Sequence, residues 1–295
     1  MANGITLATT SNMSTGQKIL VSAAMVAHEP AAPDPDLVDE VPLPQGHKQR
    51  DLLTYARLAT SSALTEGTDL SQVEQLVTAA LTVTPTEHGS IVTLSKRLIA
   101  RQGDSNVIGT AGTLMGGSLR RRKALDLIAL YDGFSKSIVG AGSTLDITFF
   151  RGAVAYLLTD NDTAYGPAPM PLWAALHIEQ ISDIILDITD PGAVISSRFG
   201  LSAEMLQRWW RGNDRLYGVQ VFHSGNITRD AGDDAKGGIF NKSALVMVPA
   251  AEDEVTEDPD PSARIIEYGL FGVWGEAERA DPHGVEVFSD AATTV

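Results

Sequence analysis

The sequence contains no cysteine, few basic residues and no long apolar run, and each of these absences excludes a class of protein. Without cysteine, the 295 residues hold no disulfide framework, no thiol nucleophile and no thiolate-bound metal. The 37 acidic residues outnumber the 22 basic ones and give a formal charge of −15, whereas a dedicated nucleic-acid binder normally carries the opposite balance. No apolar stretch approaches the ~18 residues that cross a bilayer, so we expect no membrane contact.

The first 48 residues have the composition of an extended arm. Lys18 and the apolar residues 19–27 resemble an export signal only weakly, because the run starts late and lacks a clean cleavage site. We interpret them instead as a short amphipathic helix that docks on another surface. Between residues 27 and 48, five prolines favour extended conformations and predict an arm that is no part of a compact core: Pro30, Pro33, Pro35, Pro42 and Pro44.

Two stretches with a period of two, residues 52–58 and 77–84, predict β-strands. The polar residues 65–69 between them are typical of a turn, so the two strands are predicted to form a long hairpin. We expect few contacts between this hairpin and the rest of its own chain. The tip is therefore a candidate contact site for a partner, and it comprises Glu66, Gly67, Thr68 and Asp69.

A long helix is predicted after the hairpin. Following a break at residues 87–89, Ser95 is expected to cap a short helix that ends at Gly103, and Asp104 or Ser105 to cap the next one. This second helix spans about 40 Å at 1.5 Å per residue and runs toward Gly133. Its apolar stripe consists of Val107, Ile108, Ala111, Leu114, Met115, Leu119, Leu125, Ile128 and Tyr131.

The same helix carries the only dense basic cluster of the sequence, formed by Arg120, Arg121, Arg122 and Lys123. Such a cluster can face DNA or an acidic neighbour, but it is usually a solvated helix face. We therefore favour a solvated or intersubunit position over a DNA-facing one.

The remaining pattern mixes helices and strands. Helices are predicted at residues 145–159, 179–187 and 202–211, and strands at residues 172–178 and 218–223, which favours a mixed α and β centre. Further strands are predicted at residues 244–248, 263–274 and 284–288. Between the first two of these lie six carboxylates together with Pro259 and Pro261, which predict an exposed, mobile connection. The six are Glu252, Asp253, Glu254, Glu257, Asp258 and Asp260.

No motif in the sequence predicts a catalytic residue, a cofactor or a metal site. Gly140 and Gly142 resemble the start of a dinucleotide fingerprint, but the third glycine is missing and the preceding residues favour helix, so we expect a loop between helices. Residues 160–171 fail as a calcium loop, because Gly166 comes one place late and Pro171 replaces the required glutamate. The six histidines are dispersed without ligand spacing.

Three segments, read in order, carry a resemblance to a known family. These are residues 63–70 (ALTEGTDL) with the threonine-rich strand to Thr84 and Ser95, residues 172–177 (LWAALH) with Glu179 and Gln180, and residues 284–291 (GVEVFSDA). Together they resemble the major capsid proteins of tailed double-stranded DNA phages, which have the HK97-type fold. None of these segments is a catalytic signature, so the specificity lies in their order and spacing.

The resemblance implies an α+β fold with five parts. They are an N-terminal arm (residues 1–48), an extended hairpin called the E-loop (49–94), a peripheral domain with a long spine helix (95–144), an axial domain (145–229) and the return strands of the peripheral domain (230–295). The implied function is that of a major capsid protein that self-assembles into the icosahedral head around phage DNA. It would be located in the virion and assembled in the host cytoplasm.

The resemblance also implies partners. The chain is expected to contact its own copies as hexamers and pentamers, and to require a separate scaffolding protein, because no long helical extension precedes the arm. A portal and a decoration protein are further expected partners, packaged DNA is contacted only non-specifically, and no covalent crosslink is assigned. Two alternatives remain open: a shell protein of a non-viral encapsulating compartment with the same fold, and a cytoplasmic nucleotide-dependent enzyme that would use Gly140 and Gly142.

Overall fold

The computed structural model of the chain describes residues 32–61, 63, 66–67, 74–101, 107–159, 162, 164–189 and 215–292. The helices are α1 (Lys96–Arg101), α2 (Val107–Ala129), α3 (Ile147–Leu158) and α4 (Ile178–Thr189). The strands are β1 (Asp39–Glu40), β2 (Arg50–Tyr55), β3 (Thr78–Val83), β4 (Thr86–Ser95), β5 (Ser137–Val139), β6 (Leu172–Leu176), β7 (Arg215–Leu216), β8 (Val219–His223), β9 (Asp234–Asn241), β10 (Leu245–Asp260), β11 (Ile265–Glu278) and β12 (Gly284–Asp290).

Within the described ranges, these strands form three sheets. One sheet has the order β1-β10-β11-β4, a second has the order β5-β12-β9-β6-β8-β7, and β2 pairs with β3 alone. The predicted strands at residues 52–58, 77–84, 172–178 and 218–223 are confirmed as β2, β3, β6 and β8. The predicted helices at residues 145–159 and 179–187 are confirmed as α3 and α4. In these segments the local periodicity agrees with the tertiary environment, which is why sequence reasoning succeeds.

The four-stranded sheet packs against α2. The buried side chains of the helix include Ala111, Met115 and Leu119, which were predicted, and Ala124 and Leu127, which were not. Three members of the predicted stripe are more than a third exposed, namely Ile108, Leu114 and Leu125. The predicted stripe was therefore too broad, because the sheet covers only a narrow face of the helix. Ser95 caps α1 as predicted, with Leu98 N donating to Ser95 Oγ at 3.1 Å.

The six-stranded sheet forms the second core with α3 and α4. Its strand β9 was not predicted, because Gly237 and Gly238 lower the strand propensity of the segment. Tertiary packing requires Gly237: a Cβ atom there would lie 2.7 Å from the carbonyl oxygen of Ala175 on the adjacent strand β6. Gly237 thus makes the strand hard to recognise in the sequence and also allows β9 to approach β6 closely.

Residues 32–43, here named the arm root, pack on their own chain. Asp34–Asp36 form a 3-10 turn, Leu37 and Val38 are buried, and β1 pairs in parallel with β10. The backbone continues this docking, since Leu43 N donates to Pro249 O at 2.8 Å. The prediction that this segment is no part of a compact core is therefore wrong for the arm root. Proline at the start of a 3-10 turn needs no hydrogen bond from its nitrogen, so the prolines are compatible with docking.

Two further predictions are wrong. Residues 87–89 do not interrupt the secondary structure, because they lie within β4 and pair with β11. The acidic stretch is not a mobile connection either, because it forms the outer half of β10 and pairs with β11 up to Asp260. Its side chains are largely exposed, as predicted, but its backbone is held by hydrogen bonds to β11. A run of charged residues therefore predicts exposure and does not exclude a strand.

Several predictions lie outside the described residues: the docking helix at residues 19–27, Gly103, Asp104, Ser105, Asp160, Asn161 and the helix at residues 202–211. The five domain boundaries stay a prediction. In the part of the chain that the structure describes, no helix is long and apolar enough to cross a membrane.

Candidate assembly surface

The hairpin of β2 and β3 has two faces with different environments. The strands pair antiparallel from Arg50 opposite Val83 to Tyr55 opposite Thr78. On one face, Leu52 and Val83 are buried at the base of the hairpin against Val246 and Val248 of β10. This small apolar cluster anchors the hairpin to the four-stranded sheet.

The other face presents apolar side chains to solvent. Leu53 and Tyr55 lie two residues apart in β2 and are 54% and 56% exposed. Just beyond the strands, more than half of the side chain is also exposed at Leu58, Leu76 and Val77. A two-stranded ribbon is marginal on its own in water, and large apolar side chains exposed on one of its faces suggest a contact site.

Polar contacts hold the hairpin in one arrangement. Thr82 Oγ1 donates to Asp51 Oδ1 at 2.7 Å across the strands. Farther out, Arg57 N donates to Ala164 O at 2.9 Å, and Ala59 N donates to Glu74 Oε2 at 2.8 Å. The hairpin therefore has more contacts with its own chain than the sequence predicted, although its apolar face lacks cover among the described residues.

The predicted tip lies partly within the described residues. Glu66 and Gly67 form an exposed turn, and Gly67 has a φ of +79°, a conformation that favours glycine. Thr68 and Asp69 lie outside the described residues. The role of the tip in assembly stays a prediction.

The arm root is fixed by a buried carboxylate that the sequence analysis did not single out. Asp34 is fully buried and accepts hydrogen bonds from Tyr131 Oη at 2.8 Å and from Ser224 Oγ at 2.7 Å. Burial raises the pKa of Asp34, although both hydrogen bonds oppose this effect. Burial and the nearby Asp34 also raise the pKa of Tyr131. One side chain thus ties the arm root to the turn after α2 and to the turn after β8.

The basic cluster on α2 is largely paired within the chain. Arg120 donates to Ala32 O at 3.0 Å and to Asp36 Oδ2 at 2.6 Å, so it also holds the arm root. Arg122 pairs with Asp126 one turn along the helix. Lys123 pairs with Asp253 of β10 at 3.1 Å and lies over the ring of Trp274. Arg121 is exposed on the same helix. The assignment of this cluster to a neighbouring subunit or to DNA stays a prediction.

The glycine pair is preceded by strand β5, so the prediction of a loop between helices is wrong. The segment is nevertheless unsuited to a pyrophosphate. Gly140 N donates to Phe288 O at 2.8 Å, and Gly142 N donates to Asp234 Oδ1 at 2.7 Å. At the start of α3, Asp146 accepts from Phe149 N at 2.8 Å. The amides and the helix end that would receive a phosphate thus already face carboxylates or a carbonyl of the protein.

The candidate metal-binding residues have other contacts. Asp162 accepts hydrogen bonds from Ala164 N and Tyr165 N within a turn. His88 stacks on Trp274, and His283 Nδ1 lies 2.8 Å from Ser243 Oγ. No group of three or more histidine, aspartate or glutamate side chains among the described residues is arranged to hold a metal ion.

Two half-buried carboxyl groups have raised pKa values. Burial, together with the nearby Asp290 and Glu179, raises the pKa of Asp183 to about 6. Burial, together with the charge of Asp281 and a hydrogen bond to it, raises the pKa of Glu278 to about 7. Burial and neighbouring carboxylates account for both shifts, and a shifted pKa alone carries no argument for catalysis.

The exposed apolar face of the hairpin has a signal in the sequence that was overlooked. In residues 50–55, apolar side chains occur on both faces, since Leu52 alternates with Leu53 and Tyr55. A strand that is apolar on both faces is typical of one that is covered on both sides. Among the described residues, only the base of one face of the hairpin is covered.

The similarity of this chain to known proteins lies in its structure rather than in its sequence. No protein-family model matches the sequence, and no curated protein is a recognisable relative of it. In contrast, the acidic stable capsid of Helicobacter pylori bacteriophage KHP30 superimposes with a TM-score of 0.70 at 11% identity, over 98% of this chain and 100% of that chain.

Two other capsids give the same result. The capsid of cyanophage P-SCSP1u has a TM-score of 0.69 at 14% identity, with 92% of both chains covered. The capsid of a native GTA particle has a TM-score of 0.68 at 10% identity, over 94% of this chain and 97% of that chain. At such identities the likeness concerns the fold. The chain has the HK97-type α+β fold of phage capsid proteins.

Proposed function

We propose that the chain is the major capsid protein of a tailed double-stranded DNA phage, and that its copies assemble into the icosahedral head. The observation that supports this most is the apolar face of the β2 and β3 hairpin, with Leu53 and Tyr55 more than half exposed in a chain of this fold. Such a face is favourable only when another surface covers it. A neighbouring copy of the same chain supplies that surface in a closed shell.

Assembly of many copies makes modest contacts sufficient. In a shell with rotational symmetry, each hairpin meets the same kind of surface on the next copy, and the contacts act together. Each interface can therefore stay weak enough to dissociate when it forms incorrectly, while the closed particle is stable. In this proposal the hairpin tip, with Glu66 and Gly67 exposed, reaches beyond its own subunit to the next.

The acidic composition suits a container for DNA. A formal charge of −15 disfavours tight binding of phosphate, so packaged DNA would contact the shell only non-specifically. The proposal includes hexamers and pentamers of this chain, a separate scaffolding protein, a portal and a decoration protein as partners, and assembly in the host cytoplasm. The role is structural rather than enzymatic.

The alternatives receive less support. A nucleotide-dependent enzyme would need free amides near Gly140 and Gly142, whereas both donate to protein acceptors. A shell protein of an encapsulating compartment would share the exposed hairpin, but the solved structures named above are capsids of phages and of a GTA particle. The nature of the packaged cargo separates this alternative from the phage head.

The test is assembly of the full chain. Expressed with and without a co-expressed scaffolding protein, it should form closed shells of uniform diameter, as measured by size-exclusion chromatography and negative-stain microscopy. Mass spectrometry and nucleic-acid analysis of particles from the native source should find DNA rather than a packaged enzyme. Only small, discrete species under every condition would contradict the proposal.

A second experiment addresses the tip. Deletion of residues 65–69 should leave a folded subunit that assembles poorly, because the tip is proposed to contact a neighbour rather than its own core. A variant with these five residues replaced by glycine and serine keeps the loop length and serves as the control for the side chains. Normal particles from the deletion would refute the role of the tip.

A further inference from the structure

The outer half of β10, residues 251–260, has a free backbone edge. On one side, residues 254–260 pair with β11 in regular register, whereas the register shifts between Pro249 and Glu254. On the other side β1 pairs only with Val246 and Met247, and the arm root ends its docking at Pro249. No described residue hydrogen-bonds to the backbone of residues 251–260 on this side. The regular segment, residues 254–260, thus offers about 20 Å of strand edge at 3.3 Å per residue. Within it, Pro259 has no backbone N–H to donate.

The side chains along this free edge are mainly carboxylates, and Val255 is the large exposed hydrophobic residue among them. Asp253 is engaged by Lys123, and Asp260 caps the following turn by accepting from Ser262 N at 2.8 Å. Val255 is 67% exposed and lies on the same face as its cross-strand partner Leu270, which is buried. The carboxylates that form no ion pair with a described residue are Glu252, Glu254, Glu257 and Asp258.

The charge of this edge decides which partner fits. Pairing of two such edges from two copies would place carboxylates opposite one another, which is unfavourable. The basic cluster of another copy is no better a partner, since Arg120, Arg122 and Lys123 already pair with Asp36, Asp126 and Asp253. The free edge therefore disfavours the same edge and the α2 cluster of a second copy, and its charge favours an extended basic segment of a different chain.

We infer that the free edge of β10 is a docking site for an extended, lysine- or arginine-rich segment of a partner protein, which adds as a strand to the four-stranded sheet. Backbone hydrogen bonds supply the affinity that is independent of sequence. Basic side chains of the added strand meet Glu254 and Asp258 on one face, and an apolar side chain covers Val255 on the other. This inference concerns a surface distinct from the hairpin and does not require that the chain forms shells.

The experiment uses the unassembled full chain and a fluorescein-labelled seven-residue peptide of alternating lysine and valine. Its affinity is measured by fluorescence anisotropy at an ionic strength of about 0.15 M, where long-range charge effects are screened. The peptide should bind saturably with one site per chain. The same peptide methylated on alternate backbone nitrogens keeps its charge but loses strand donors, and it should bind at least about tenfold more weakly.

A matched pair of protein variants locates the site. Glu254→Lys, on the free edge, should weaken binding about tenfold, because it replaces an attractive charge by a repulsive one. Glu87→Lys introduces the same change on β4, the opposite edge strand of the same sheet, and should alter the affinity less than about twofold. Equal binding of the methylated and parent peptides, or equal effects of the two variants, would overturn the inference, since either result means attraction by charge alone.

Discussion

The arm root and the β2 and β3 hairpin make an instructive comparison, because the sequence predicts for both an extended shape with few contacts in the chain. The arm root instead buries Asp34, Leu37 and Val38 and pairs with β10. The hairpin buries only its base and exposes Leu53 and Tyr55. Prolines and turn residues therefore predict the shape of a segment, whereas its exposure depends on whether the rest of the chain offers partners for it.

This difference corrects part of the assembly hypothesis. The prediction that the arm lies outside the compact core is wrong for the arm root, which the chain itself holds through Arg120, Tyr131 and Ser224. That the hairpin is covered by an adjacent copy is the proposal made above. Mutations in the arm root should therefore act on folding, and mutations on the exposed hairpin face should act on assembly.

The largest effect is expected on the exposed hairpin face. A double variant, Leu53→Asp with Tyr55→Asp, should reduce the yield of shells at least about tenfold, because a charged face cannot be covered favourably by a neighbour. The free energy of unfolding of the subunit should change by less than about 0.5 kcal/mol, since both side chains already face water. Sedimentation measures the shells and urea denaturation the subunit. Leu125→Asp, at another exposed apolar residue, is the control. An equal loss of shells from this control would show that the effect is not specific to the hairpin face.

The next effect is expected in the arm root. Asp34→Ala leaves the hydroxyls of Tyr131 and Ser224 buried without their acceptor, which should lower the free energy of unfolding by about 2–4 kcal/mol. Asp34→Asn removes the buried charge but keeps one oxygen acceptor, so it should cost less than half as much. Urea denaturation of the unassembled subunit measures both. A change below about 0.5 kcal/mol for Asp34→Ala would show that the arm root contributes little to the fold.

A smaller effect on stability is expected from pH, through Glu278 at the end of β11. Because the pKa of Glu278 in the folded chain is about 7, above its usual value, the folded state binds a proton that the unfolded state does not. Stability should therefore rise as the pH falls from 8 to 6.5. Below pH 6.5 the effect is opposed by His177 and His283, whose pKa values are lowered by burial.

The variant Glu278→Gln isolates this contribution. It should flatten the dependence of the melting temperature on pH between 8 and 6.5, whereas the hairpin variant Leu53→Asp with Tyr55→Asp should leave that dependence unchanged. An unchanged slope in Glu278→Gln would assign the pH response to other groups.

The smallest effect is expected at the surface of the arm root. Arg120→Ala removes an ion pair with Asp36 whose partners are both more than half exposed, so the loss of stability should be about 0.5 kcal/mol. This value should shrink further at high salt. A loss comparable to that of Asp34→Ala would mean that the docking of the arm root depends on its charges rather than on its buried contacts.

Sequence reasoning found the elements whose own pattern is strong. The period of two in residues 52–58 and 77–84 and the helical pattern of residues 145–159 are strong, so β2, β3 and α3 were correctly predicted. It missed β9, because the glycines that the packing requires resemble a loop, and it interpreted the acidic half of β10 as a connection. At the candidate assembly surface it located the hairpin but not its apolar face, which is recognised only once the base of the other face is known to be covered.

The sequence alone determined the order of the elements, the extended hairpin, the acidic character of the chain and its resemblance to phage capsid proteins, because periodicity, turn chemistry and charge are local properties. Only the tertiary structure decided that Asp34 meets Ser224, which lies 190 positions later in the chain, and that the outer half of β10 has β11 as its only partner strand among the described residues. Burial and strand pairing arise between segments distant in sequence. For that reason no local pattern specifies which segment finds a partner in its own chain and which must find one elsewhere.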